Sequence, residues 1–210
     1  VARSVVTSDA RAMLGAMTFV DPFFSAVLSS AIIAVLLVVL VLSLANVRKP
    51  TTAVMAVAGV LVAAAVTIVI VLPPAATPLL GIPLTVLGFA AATIGGNPFT
   101  RRALDIATGK RVRETEDGGI LIIAAHDADP AHARTLMRGG TVIGYLERIC
   151  TVVAIAVGFP EAIAAIIAVK GIGRFPELAE SEARERFIIG TLASLLWSGA
   201  IGTVIRLALI

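Results

Sequence analysis

The chain has 210 residues, 58% of them hydrophobic, with a formal net charge of +3 and a single cysteine. Its mean hydropathy is +1.00, whereas ordinary soluble domains are about 45–50% apolar, so a soluble fold is excluded. The basic balance does not indicate nucleic acid, because Lys and Arg gather in the connections between apolar runs, where membrane proteins keep them.

Apolar runs of about 20 residues mark membrane-crossing helices. Residues 1–23 form an N-terminal segment without clear periodicity. The first span reads Phe24 to Ala45, with Ile32 to Leu42 unbroken apolar. It exceeds the length of a signal-peptide core and has Arg48 and Lys49 directly behind it, so it reads as an uncleaved span. The second span runs from Thr52 to Leu72. Pro73, Pro74 and Pro78 then make a stiff, uncharged turn, and the third runs from about Leu79 to Gly95. Gly95-Gly96-Asn97-Pro98 predicts its end. Residues 24–96 are therefore a three-span N-terminal part.

Residues 97–140 are a basic, polar loop. Asn97-Pro98 predicts the start of a separate surface helix, with Phe99, Ala103, Leu104, Ile106 and Ala107 as its apolar stripe and Gly109 as its stop. Arg101 and Arg102 on it suit anionic lipid headgroups. Asp117-Gly118-Gly119 is a turn signal before the strand-like run Ile120 to Ala125, which predicts a small hairpin. Asp129 and Pro130 predict a helix ending at Gly139. His126, Asp127, Asp129 and His132 form a metal candidate by residue type. They match no metalloenzyme motif, and Asp129 already has a capping role, so the favoured reading is a solvated loop. No cofactor is expected.

Residues 141–210 hold three further apolar segments. The fourth span reads Thr141 to Val157, and Gly158-Phe159-Pro160 breaks it. The fifth is short, Glu161 to about Lys170, and the sixth starts polar at Ser181 and is apolar from Phe187 to Ile210. The fold class is thus all-α: a polytopic transmembrane bundle of about six spans with one cytoplasmic loop subdomain. Basic residues lie in alternate connections: Arg48 and Lys49; Arg101 to Arg138; Arg174, Arg184 and Arg186. The Pro73–Pro78 and Gly158–Pro160 connections carry none. The positive-inside rule then predicts both termini outside.

Charge inside these spans is costly and needs a partner, a route to the headgroups or a function. Helical spacing puts Gly144, Glu147, Thr151, Ala154 and Gly158 on one small or polar stripe. Glu147 therefore faces another helix, about 9 Å along from Thr141 at 1.5 Å per residue. It is expected to bond a basic partner from among Arg148, Lys170 and Arg174. Arg148, on the next face, is expected to snorkel to cytoplasmic phosphates, and Lys170 to snorkel or to pair with Glu147. Glu161 sits in the first turn after Pro160, where a carboxylate suits the helix dipole. Gly190, Ser194, Ser198 and Gly202 recur every four residues, and with Gly144 read as helix-packing positions. Trp197 reads as a packing residue, and Cys150 as a small buried hydrophobe.

Gly139 to Arg148 (GGTVIGYLER), Ala168 to Leu178 (AVKGIGRFPEL) and Glu185 to Leu192 (ERFIIGTL) with Trp197 carry a resemblance. Together they resemble the C-terminal module of a group of uncharacterised bacterial multi-span membrane proteins. The likeness covers about a third of the chain and brings no assigned chemistry. It implies that the motifs act as a unit, gathering Glu147, Arg148, Lys170, Arg174 and Glu185 near the cytoplasmic surface.

Three functions compete. The first is a structural or partner-binding membrane component built on that cluster. The second is a small-solute or ion transporter with Glu147 as its coupling carboxylate; three spans plus three allow an inverted arrangement, though no sequence echo links the halves. The third is a lipid-modifying membrane enzyme whose basic cluster holds a phosphate, which no nucleophile elbow or P-loop supports. An enzyme is the less favoured class. Expected partners are membrane lipids, with anionic headgroups at the cytoplasmic face, and a protein partner or a second copy of the chain.

Overall fold

The computed structural model describes residues 22–47, 51–72, 74, 76–107, 113–114, 120–121, 135–136, 140–173, 175 and 181–210. Among the described residues six helices make the fold: α1 (Pro22–Ala45), α2 (Thr52–Val71), α3 (Pro78–Ala107), α4 (Gly140–Ala156), α5 (Ala162–Gly173) and α6 (Ser181–Leu209). Both α1 and α3 begin on a proline, whose fixed φ and missing N–H suit a first helical position. The all-α bundle expected from sequence is the observed fold.

The apolar helices bury one stripe each and leave their other faces open. On α1 the buried residues are Ser25, Ser29, Ile32, Leu36, Val39 and Ser43; on α2 they are Met55, Ala58, Val62, Ala65 and Val69. Steps of three and four repeat along both, the spacing of a left-handed packing seam. Outside the seams stand exposed Val27, Leu37, Val41, Val60, Ile70 and Val86. Apolar residues on every face fit a hydrocarbon surround rather than water. Helices α1, α2, α3 and residues Ala183–Leu209 of α6 are long and apolar enough to cross a membrane. The protein is therefore membrane-embedded.

Helices α4 and α5 fall close to the fourth and fifth segments expected from sequence, and both are short. With 17 and 12 residues, they rise only about 25 and 18 Å, against a hydrocarbon core of about 30 Å. Gly158, at φ 81°, turns the chain between them. Helix α5 buries none of its residues.

Helix α6 is the centre of the bundle, packed against α2, α3 and α4, while α1 packs against α3 and α2. Tertiary hydrogen bonds fix which ends lie together. Ala76 N donates to Ala208 O, and Arg206 Nη1 to Ile155 O, so the α2–α3 turn, the end of α4 and the end of α6 share one end. At the opposite end the Arg102 guanidinium of α3 bonds Thr52 Oγ1 at the start of α2.

The expected stop at Gly95-Gly96 does not occur: α3 continues through the buried Pro98 to Ala107. The glycines serve close approach instead. A Cβ on Gly95 would lie 2.8 Å from Ser43 Oγ and from the Trp197 ring, and one on Gly96 would overlap the Arg148 side chain. Tertiary packing overrides the local stop signal, and the surface helix expected from Asn97 is the last part of α3.

In the loop, β1 (Arg113–Glu114), β2 (Ile120–Leu121) and β3 (Thr135–Leu136) form a small antiparallel sheet in the order β1-β2-β3. Arg113 pairs with Leu121 and Glu114 with Ile120. Thr135 and Leu136 pair with Leu121 and Ile120, so the helix expected to reach Gly139 gives way to a strand there. His126, Asp127, Asp129 and His132 lie outside the described residues.

Candidate functional site: a basic cavity between four helices

Helices α3, α4, α5 and α6 converge on a cavity of about 150 Å³. Half-buried Arg101, Leu104, Gly140 and Thr141 line one end, and buried Glu147, Arg148 and Ser194 the other. Lys170, Arg186, Thr191 and Thr100 also line it.

Arg148 is its deepest charge, with 2% of its surface exposed. It does not snorkel to headgroups as expected. Its Nε donates to Thr93 O at 2.9 Å and its Nη2 to Asn97 Oδ1 at 2.6 Å, with Nη1 3.5 Å from Ser194 Oγ. The room comes from small residues: Gly96 opposite, and Gly144 one turn below on its own helix. Its guanidinium also lies 5.2 Å from the Tyr145 ring centroid. Inside a bundle, three nearby acceptors offer a guanidinium more than a stretch to the surface does.

Glu147 is 4% exposed and lies on the packed stripe with buried Thr151 and Ala154. Its Oε2 accepts from Lys170 Nζ, so Lys170 is the basic partner. This pair is the one ion pair joining α5 to the bundle among the described residues. Lys170 Nζ also lies 5.5 Å from the Phe187 ring centroid. Removing one member of a buried ion pair typically costs about 3–5 kcal/mol, because the other is left uncompensated.

Most hydroxyls in these helices bond a carbonyl one turn back, which satisfies them without water. Thr151 bonds Glu147 O, Thr85 bonds Gly81 O, Ser198 bonds Ser194 O and Thr203 bonds Gly199 O. Ser29, Ser43, Thr100 and Thr191 do not: their hydroxyl oxygens are buried and without a hydrogen-bond partner, as is Glu147 Oε1. Thr100, Thr191 and Glu147 are among the residues lining the cavity, and each such buried, unbonded atom costs about 1–3 kcal/mol.

Of the cluster expected from sequence, Glu147, Arg148 and Lys170 come together. Glu185 is exposed and does not line the cavity, whereas the next residue, Arg186, is buried and does. A 100° step per residue separates them. Arg174 lies outside the described residues. Among the packing positions, Ser194, Ser198 and Gly202 are buried, Gly190 approaches Leu104 and Thr100 of α3, and Gly202 approaches Ile155 of α4. Trp197 is buried, donates from Nε1 to Ala91 O at 3.1 Å and packs on Phe99. Cys150 is exposed rather than buried, because it falls on the outer face of α4.

Sequence reasoning missed Asn97, Thr100 and Thr191 as cavity residues. It also missed Arg206, whose Nη1 bonds the last carbonyls of α4 at Ile155 and Ala156. The available signal was spacing: Thr93, Asn97 and Thr100, at steps of four and three, share one face of α3 if that helix is allowed to continue.

Fold and site together define a membrane-embedded helical bundle with a charged cavity between four helices. The chain matches no family model, no curated protein and no solved structure.

Proposed function

We propose that the chain is a binding component of a bacterial cytoplasmic membrane, taking a small polar group into the cavity between α3, α4, α5 and α6. The observation that carries this reading is the gathering of buried Glu147 and Arg148 with Lys170 and Arg186 around one cavity. Alternating basic connections support a cytoplasmic mouth for it and both termini outside. The resemblance of the C-terminal motifs to a bacterial membrane module supports treating α4 to α6 as its working part.

The test is native mass spectrometry of the protein released from its own membrane. The wild type is expected to carry one non-protein adduct per chain. Thr191→Leu, which fills the space, is expected to lose the adduct while melting near the wild-type temperature. A folded wild type with no adduct contradicts the proposal.

A transport reading is favoured by one observation: Glu147 Oε1 is unbonded, beside a helix that buries none of its residues. Under it, Glu147→Gln abolishes proton-coupled flux in vesicles and leaves the melting temperature unchanged. A variant that melts early, with flux untouched, rejects it.

A further inference from the structure

We infer that α5 is a strap over the cavity, hinged at the exposed turn from Gly158 to Glu161 and latched by Lys170 on Glu147, and that its release uncovers Glu147. What the cavity then admits rests on the binding reading above; the movement is tested apart from it. Every other helix packs against at least two neighbours, whereas α5 packs mainly against α4. Its inward face carries Ala162, Ile163, Ile166 and Lys170 at helical spacing, and each is only half-buried.

Apolar contact holds such a helix only weakly in a membrane, because lipid tails are as apolar as Ile163 and Ile166. Charge holds it better. Lys170 Nζ bonds Glu147 Oε2, with 15% and 2% of the two side chains exposed, and in a low-dielectric surround this attraction far exceeds its strength in water. Lys170 Nζ also lies 5.5 Å from the Phe187 ring centroid of α6, so one side chain ties α5 to two helices. Lys170 is the residue through which α5 lines the cavity.

Both ends of α5 suit such a movement. Phe159 N donates to Ala154 O, which fixes the turn to α4, and the next residue, Pro160, has no N–H to tie it further. At the far end, a Cβ added to Gly171 or Gly173 meets nothing within 4 Å among the described residues, so no wall confines the helix beyond its latch. Lys170 stands roughly 15 Å along the helix from the turn, at 1.5 Å per residue. A swing of about 20° moves it about 5 Å, beyond hydrogen-bond reach of its present partner.

The experiment measures distances between paired spin labels on the full-length protein in phosphatidylcholine nanodiscs, in a Cys150→Ser background because that cysteine is exposed. One pair joins Ile172→Cys on α5 to Val41→Cys on α1, and a control pair joins Val41→Cys to Ile188→Cys on α6; all three positions are exposed. Glu147→Gln with Lys170→Gln breaks the latch and leaves no buried charge uncompensated, whereas Lys170→Arg keeps the charge. The intact protein and Lys170→Arg are expected to give one narrow α5–α1 distribution. The double variant is expected to widen it and shift it by about 5 Å or more, while the control pair keeps its distance. An unchanged α5–α1 distance in the double variant, an equal shift of the control pair, or a Lys170→Arg variant that opens like the double one would overturn the inference. A bare protein in the native spectrum rejects the binding reading and leaves the strap to the distance measurement.

Discussion

Arginines at the two ends of the bundle are accommodated in opposite ways. At one end, Arg206 is half-buried and bonds the terminal carbonyls of α4 at Ile155 and Ala156, with Gly158 beneath it. Those carbonyls end the helix, where its dipole is negative; Ile155 O also accepts from Gly158 N, and the cation completes the cap. At the other end, Arg148 is fully buried among neutral oxygens, next to a cavity that Glu147, Lys170 and Arg186 also line. The first arrangement closes on itself. The second sets charged side chains around a space, which separates a cation that caps a helix from one that lines a cavity.

The largest effect expected from breaking this contrast is at Arg148. Arg148→Met removes the charged bonds to Thr93 O and Asn97 Oδ1, and is expected to cost about 3 kcal/mol or more in unfolding followed by Trp197 fluorescence. Next comes the ion pair. Glu147→Gln and Lys170→Gln should each destabilise by about 3 kcal/mol if the pair behaves as a buried one, whereas the double variant recovers much of that loss. Strictly additive losses would show that Glu147 and Lys170 do not depend on each other. Gly96→Ala places a methyl where the Arg148 side chain lies, and overpacking of this kind costs about 1–3 kcal/mol. At the other end, Gly158→Ala must adopt a positive φ, at about 1–2 kcal/mol. Arg206→Ala is the smallest, about 1 kcal/mol for a lost capping cation. Neither of these two should change what the cavity holds.

Much of the fold was legible because lipid imposes long apolar runs, and α1, α2 and α6 begin and end within a few residues of their expected limits. Departures occurred where tertiary contact changes a local signal. Gly95-Gly96-Asn97-Pro98 reads as a stop in isolation, yet Ser43, Trp197 and Arg148 fill the space those glycines leave. Thr135 and Leu136 read as helix after Asp129-Pro130, yet they pair with β2.

At the site, period 3.6 put Glu147 on the packed stripe, and a similar depth made Lys170 a candidate partner. Sequence spacing did not separate Glu185 from Arg186, since both flank the start of α6 and only packing selects which turns inward. Arg148 was misjudged for the same reason. Snorkelling is the rule for an arginine facing lipid, and nothing local to Arg148 reveals that Asn97 and Ser194, 51 and 46 residues away, wait for it inside.

The most direct measurement sets the two ends against each other in one native mass-spectrometry experiment on Thr191→Leu and Arg206→Ala. The account predicts that Thr191→Leu loses the bound adduct while Arg206→Ala keeps it at one per chain, though the latter melts earlier. Retention of the adduct by Thr191→Leu, or its loss from a folded Arg206→Ala, would contradict the assignment of binding to the Arg148 end.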